Sequence, residues 1–127
     1  MVTYSSVFAG FAARDTDAAK AFYRDTLGLD VRDGAEAGII EIHGGGGAPV
    51  IVYPKPDHQP ATFTVLNLVV SDIDAAVDEL TAKGVSFEQY DFPELKTDAK
   101  GIARGNGPSI AWLTDPDGNI LSVLQPG

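Results

Sequence analysis

Apolar and polar positions along the chain follow one rhythm that is played twice. An apolar run from Val7 to Ala13 reads as a strand, and at Asp15 the pattern switches to helical spacing, with Ala18, Ala19, Phe22, Tyr23 and Leu27 on one face. A second apolar run, Phe63 to Val70, gives way at Asp72 to the same spacing. Asp72 suits a helix N-cap, and Ile73, Ala76, Val77 and Leu80 keep the i, i+3, i+4, i+7 positions of an apolar stripe. The residues at the switch repeat outright: Asp15-Thr16-Asp17-Ala18-Ala19 recurs as Asp72-Ile73-Asp74-Ala75-Ala76, an offset of 57. Each helix closes on a glycine, Gly28 and Gly84.

Three further strands are expected after each glycine. In the first half they are Leu29 to Arg32, Gly38 to His43 and Pro49 to Tyr53; in the second, Val85 to Tyr90, Ser109 to Thr114 and Ile120 to Leu124. The pattern therefore predicts an α+β fold of two tandem βαβββ modules. The first spans about 1–56 and the second about 62–127, within a single domain covering 1–127. Gly44 to Gly47 and Asp115-Pro116-Asp117-Gly118-Asn119 supply the hairpin turns before each last strand. The four-glycine run leads into a strand, whereas a phosphate cradle needs a helix N-terminus at that point. Pro54, Pro56 and Pro60 mark an extended linker, in which His58 reads as a solvated loop residue. A unit of about 60 residues buries little surface alone, so the two sheets are expected to share a core, helices outward, around a concave small-molecule cup.

Charge and composition narrow the partners. Eighteen acidic against nine basic residues give a formal net charge of −9, with no basic run to neutralise phosphates. Nucleic acid and anionic membranes are excluded as partners on this ground, and no apolar stretch is long enough to span a bilayer. Cysteine is absent, so there are no disulfides, thiolate nucleophiles or thiolate metal sites. No basic residue precedes the first apolar run, which speaks against a signal peptide and for a cytoplasmic location.

The stretch Asp15 through Val31, with Phe22-Tyr23 and Leu27-Gly28-Leu29 inside it, and Trp112 through Leu124 around Asp115-Pro116-Asp117-Gly118-Asn119, resemble the vicinal oxygen chelate superfamily of glyoxalases, bleomycin-resistance proteins and extradiol dioxygenases. The resemblance covers nearly the whole chain and implies the cupped two-module fold. Metal-dependent members carry His, Gln or Glu on the first and last strands of each module. Those positions fall here on Phe8, Val52, Val65 and Ser122, which do not make a divalent metal site. The resemblance therefore implies a metal-independent protein without a cofactor. It also implies a homodimer, since open edges in such two-module proteins are commonly completed by a second copy.

Strand alternation sorts the cup lining. With Val65 inward, Asn67 and Val69 follow, while Leu66, Leu68 and Val70 pack under the helix; by the same parity Phe8, Gly10, Ala12, Ile120, Ser122 and Leu124 face in, and Tyr53 faces out. Ile40 and Ile42 as core would place Glu41 and His43 in the cup, where an i, i+2 pair suits acid–base work. Asn67 is an amide in an apolar run, and Trp112, Tyr90 and Phe92 are aromatics fit to form a ligand wall. The segment 91–107, with Gly101, Gly105 and Gly107, has the composition of a mouth-covering loop. The expected function is sequestration of a small hydrophobic or aromatic molecule on Phe8, Val52, Val65, Asn67, Tyr90, Phe92, Trp112 and Ser122. The rival is an enzyme of the same superfamily, a glyoxalase-type lyase or isomerase or a dioxygenase, working through a metal or through Glu41 and His43.

Overall fold

The aspartates that open the two repeats are helix caps. In the computed structural model, which describes residues 1–105 and 107–127, Asp15 is extended and its carboxylate accepts hydrogen bonds from the backbone N–H groups of Asp17 and Ala18. Asp72 does the same for Ala75. Two compact units follow from the repeat, Met1–Gln59 and Pro60–Gly127.

In the first unit, β1 (Gly10–Ala13) leads into α1 (Thr16–Ala21), and then come β2 (Asp30–Asp33), β3 (Ile40–His43) and β4 (Val50–Pro54). The strands form one sheet in the order β1-β4-β3-β2, with β1 parallel to β4 and the other pairs antiparallel. The first strand is shorter than the apolar run that announces it, beginning at Gly10 instead of Val7. α1 does not stop at Ala21 but widens into a π-helical turn, Phe22–Thr26, closed by the Leu27 N–H to Phe22 carbonyl bond of 3.0 Å. This turn holds one residue more than its counterpart: thirteen positions separate Asp15 from Gly28, and twelve separate Asp72 from Gly84. In this turn Tyr23 is buried edge-on to Phe11 of the sheet at 6.0 Å, and the half-buried Phe22 packs edge-on to Tyr23 at 5.3 Å. Gly28 and Gly84 then end the helices at φ +73° and +95°, a backbone state that penalises any side chain.

The second unit contains β5 (Thr64–Val69), α2 (Ile73–Ala82), a small hairpin of β6 (Asp91–Phe92) and β7 (Leu95–Lys96), then β8 (Ile102–Ala103), β9 (Ser109–Thr114) and β10 (Ile120–Gln125). Its sheet runs β5-β10-β9-β8, with β5 parallel to β10. The strand expected at Val85 to Tyr90 does not form. That stretch makes one backbone bond to the sheet, Glu88 N–H to the Trp112 carbonyl at 2.8 Å, and then both backbone groups of Tyr90 turn to Thr97. The edge of β9 is taken by β8 instead, where the Asp98 carboxylate receives the Ile102 N–H at 3.0 Å.

Side-chain faces are fixed by contacts on the covered side. The Gln125 side-chain carbonyl accepts the Ile73 N–H at the start of α2 at 2.9 Å. Leu121 and Val123, which alternate with Gln125, therefore lie under the helix with their cross-strand partners Leu113 and Ala111, and all four are buried. In the first unit Phe11, Val52, Ile40 and Ile42 share the face that meets Tyr23. Leu113 sits at the centre of such a layer, fully buried, while its neighbour Thr114 is exposed. Leu113→Ala should lower the unfolding free energy by about 2–5 kcal/mol in a denaturant titration, against less than about 0.5 kcal/mol for Thr114→Ala. Equal losses would mean that the face assignment is wrong.

Candidate functional site

With Leu121, Val123 and Gln125 under α2, alternation turns Ser122 and Leu124 to the opposite face of the second sheet. Ser122 pairs with Asn67 on one side and Trp112 on the other, and registered neighbours in a sheet point the same way. The Ser122 hydroxyl donates to Asn67 Oδ1 at 2.5 Å. Ser122 is 1% exposed and Asn67 is open to solvent, so the pair has a buried foot and an accessible head. Trp112 extends the row: the Tyr90 ring meets it edge-on at 5.5 Å, and Phe92 stacks on Tyr90 at 6.2 Å. Asn67, Ser122, Trp112, Tyr90 and Phe92, five residues singled out in the sequence, thus form one continuous line from an amide to an aromatic ladder. Val65 falls at a bulge, between the Thr64–Ile120 and Leu66–Leu121 pairings, at the end of the same strand.

Tyr90 and Phe92 sit beyond the sheet because of the segment 91–107, which is built and not merely loose; Asn106 within it lies outside the described residues. Thr97 Oγ1 accepts the Tyr90 N–H at 2.9 Å, and Asp98 receives the N–H groups of Lys100 and Ile102. Gly101 is at φ +91°, and a Cβ there would stand 2.8 Å from Phe87 Cβ, so only glycine fits. Arg104 and Lys100 tie the segment to α2 through Asp74, at 2.6 and 3.1 Å. Burial, with Glu88 nearby, pushes the Tyr90 phenol above its ordinary value, so it carries its proton at neutral pH.

The first unit places other residues on its uncovered face. Glu41 and His43 share it, bonded to each other at 2.8 Å through Glu41 Oε1 and His43 Nε2 and each about one-quarter exposed. Their cross-strand neighbours are Arg32 and Asp30, themselves paired at 2.8 Å, so acids and bases alternate over four positions. A carboxylate orienting an imidazole is a competent acid–base unit, and the same lattice is also a self-satisfied hydrogen-bonded cluster.

Several expected positions move. Val52 was expected to line the cup, but it pairs with Phe11 and Ile40 on the helix-covered face and is fully buried, so it belongs to the core. The residue registered with Gly10 is Ile51, and Tyr53, expected to face away, shares the uncovered face with Ala12 and Glu41. Phe8 lies before β1 and is 62% exposed, outside any strand. His58 is not a solvated loop residue: the chain turns back through the His58 N–H to Lys55 carbonyl bond, the Arg14 guanidinium donates to the His58 carbonyl, and the residue is buried. A cavity of about 290 Å³, missed in the sequence, opens between the start of α1 and the β2–β3 connection. Asp17, Asp33 and Glu36 line it, and Asp33 is already paired with Lys20 at 2.7 Å. Runs of acidic residues are common on so negative a chain, so composition carried no signal for it. Among the described residues no three His, Asp or Glu side chains come together as a metal site, and no helix is long and apolar enough to cross a membrane.

The order of strands and the twin units define a paired βαβββ protein. The sequence profile of the Glyoxalase/Bleomycin resistance protein/Dioxygenase superfamily matches residues 7–123, and the chain belongs to that superfamily. Among solved structures it is similar to TnmS3, an antibiotic binding protein from Streptomyces sp. CB03234, at 22% identity and a TM-score of 0.71, over 100% of this chain and 99% of that one. A superfamily member from Sphaerobacter thermophilus is 22% identical with a TM-score of 0.67, over 98% of each chain. Lactoylglutathione lyase from Agrobacterium tumefaciens is 21% identical with a TM-score of 0.64, over 97% of this chain and 95% of that one. At these identities the likeness is one of fold. No curated protein sequence matches the chain.

The ion pairs carry a pH signature. The Arg32 guanidinium holds the Asp30 carboxyl below the usual carboxylate range, and Arg104 followed by Lys100 does so for Asp74. Folding lowers both pKa values, so the unfolded chain takes up protons first as the pH falls. Their stabilisation is complete above about pH 3.9 and is lost as the pH drops through the folded-state values. Carboxyl ¹³C shifts should show Asp30 titrating low in the native chain and near its ordinary value in Arg32→Gln. An unchanged Asp30 midpoint in that variant would show that the pair contributes nothing.

Proposed function

We propose that the chain binds a small, largely apolar aromatic molecule on the uncovered face of its second sheet and releases it unchanged. The observation that carries this reading is the contiguous ladder of Phe92, Tyr90 and Trp112, accessible along its length and ending in the Asn67–Ser122 pair. Aromatic side chains left partly open in a row, with a polar group at one end, offer a flat ligand stacking surface and one orienting contact. The structural neighbour that is an antibiotic binding protein supports a binding role. The four chelate positions implied by the resemblance, Phe8, Val52, Val65 and Ser122, supply neither imidazole nor carboxylate, which weighs against metal-assisted lyase chemistry. Of these, Val52 is left out of the proposed contacts because it is core.

The second reading, catalysis, is favoured by one observation, the 2.8 Å bond between Glu41 and His43. The two readings separate when binding is followed with 2-isopropylnaphthalene, a probe with an aromatic face and no polar group, and turnover with 2-acetylnaphthalene, whose carbonyl and adjacent acidic C–H groups an acid–base pair could act on. Trp112 is the sole tryptophan, so its emission should fall along a saturable isotherm as the probe is added. Trp112→Ala should weaken binding, followed by equilibrium dialysis, by at least the 0.5–1.5 kcal/mol or so of an aromatic pair. For binding without turnover, aromatic compounds taken up by the protein should be recovered unaltered after long incubation. Conversion of many equivalents, abolished in Glu41→Gln, would replace the binding reading with the catalytic one.

The reading includes a second copy of the chain as partner. β1 is the edge strand of its sheet, and the residues before it, among them Val2, Tyr4, Val7 and Phe8, expose apolar side chains to solvent. Light scattering at micromolar concentration should return a dimer mass, and a monomer mass would overturn this part.

A further inference from the structure

We propose that the site selects, among flat aromatic molecules, those carrying a neutral carbonyl-type acceptor, and that the Asn67 side-chain amide is the group that reads it; this rests on the aromatic-binding reading above. The argument starts at Ser122. Its hydroxyl sits in a residue 1% exposed, so its proton needs a protein acceptor, and Asn67 Oδ1 at 2.5 Å is the one it has. An amide turned the other way would present N–H protons to Ser122 and leave the buried hydroxyl proton without an acceptor among the described residues. The serine therefore fixes the amide, with Oδ1 toward the strand and Nδ2 away from it.

Asn67 Nδ2 carries two N–H donors, and among the described residues neither meets a protein acceptor. They lie on an exposed residue, on the face that bears Trp112. Two strand spacings separate Asn67 from Trp112, roughly 10 Å between backbones. A two- or three-ring molecule lying against Trp112 and pointing along the Trp112–Ser122–Asn67 line brings its far edge to those donors. What it must offer there is a lone pair. A carboxylate would supply one, but the net charge of −9 opposes an anion, and Glu88 lies beside the ladder near Tyr90. A ketone, quinone, lactone or amide oxygen meets both conditions.

The test compares 2-acetylnaphthalene with 2-isopropylnaphthalene, which match in ring and shape and differ in the acceptor oxygen. Equilibrium dialysis measures both affinities, with Trp112 emission as a second readout. The native chain should bind the ketone about tenfold more tightly, the worth of one good hydrogen bond. Asn67→Asp keeps the side-chain shape and the acceptor for Ser122 but removes both donors, and it should bring the ratio of ketone to hydrocarbon affinity to one or below. Equal affinities in the native chain, or a preference that survives in Asn67→Asp, would overturn acceptor selection and leave the aromatic-binding reading intact. Failure of both probes to bind would overturn both.

Discussion

The Asp115 carboxylate is the pin on which the second unit is hung. It is nearly buried in the turn between β9 and β10, where it receives the N–H groups of Asp117 and Asn119 at 2.9 Å and the Asn119 side-chain amide at 2.9 Å. Gly118 completes the turn at φ +85°. Those bonds fix which residue of β9 faces which residue of β10, and with it the pairing of Trp112 with Ser122. A slip by one position would turn one strand over against the other: either Trp112 would enter the helix-covered layer as Leu113 left it, or Ser122 and Leu124 would enter it as Leu121 and Val123 were pushed into water. The hydrophobic layer and the candidate site are therefore specified together by one buried carboxylate.

The division of labour between the two sheets follows from what stands on their uncovered faces. In the first, Asp30, Arg32, Glu41 and His43 satisfy one another, and a surface of that kind holds its charges in place without calling for a ligand. In the second, the same face carries aromatic rings and one amide, whose donors meet no acceptor among the described residues. Exposed ring faces gain by being covered, and polar side chains already bonded to one another do not. The family as a whole hosts many chemistries on this scaffold, so it is this contrast between faces, more than membership, that points to the second unit.

Much of this was legible in the sequence because it is written in local terms. Asp72 as a cap, Gly28 and Gly84 as stops, and Asp115 through Asn119 as a hairpin each depend on a few neighbouring residues, and each stands where the pattern put it. What was not legible depends on register between distant strands. The resemblance put Val52 and Ser122 at the equivalent last-strand positions of the two modules, whereas the sheets pair Asn67 with Ser122 and its repeat-mate Gly10 with Ile51, one residue away. That single step exchanged Val52 for Ile51 and reversed Tyr53. The strand expected at Val85 to Tyr90 is cut to the single bond from Glu88 to Trp112: its residues have strand character, but the next positions along the edge of β9, Ala111 and Ile110, are held by Ile102 and Ala103.

The parallel pairing of first and last strands in each unit has a bearing on how the chain is made. In the second sheet β5 has a single neighbour, β10, which begins more than fifty residues later and forms the bridge to β9. In the first, β1 likewise waits for β4. During synthesis the opening strand of each unit therefore emerges with no partner to receive it, and its helix has only a fragment of a sheet to cover. Long-range closure of this kind is slow and comes late in folding. Neither sheet can close until its last central strand has been made, and a nascent chain stalled before β10 leaves β5 without the one neighbour it has in the finished sheet.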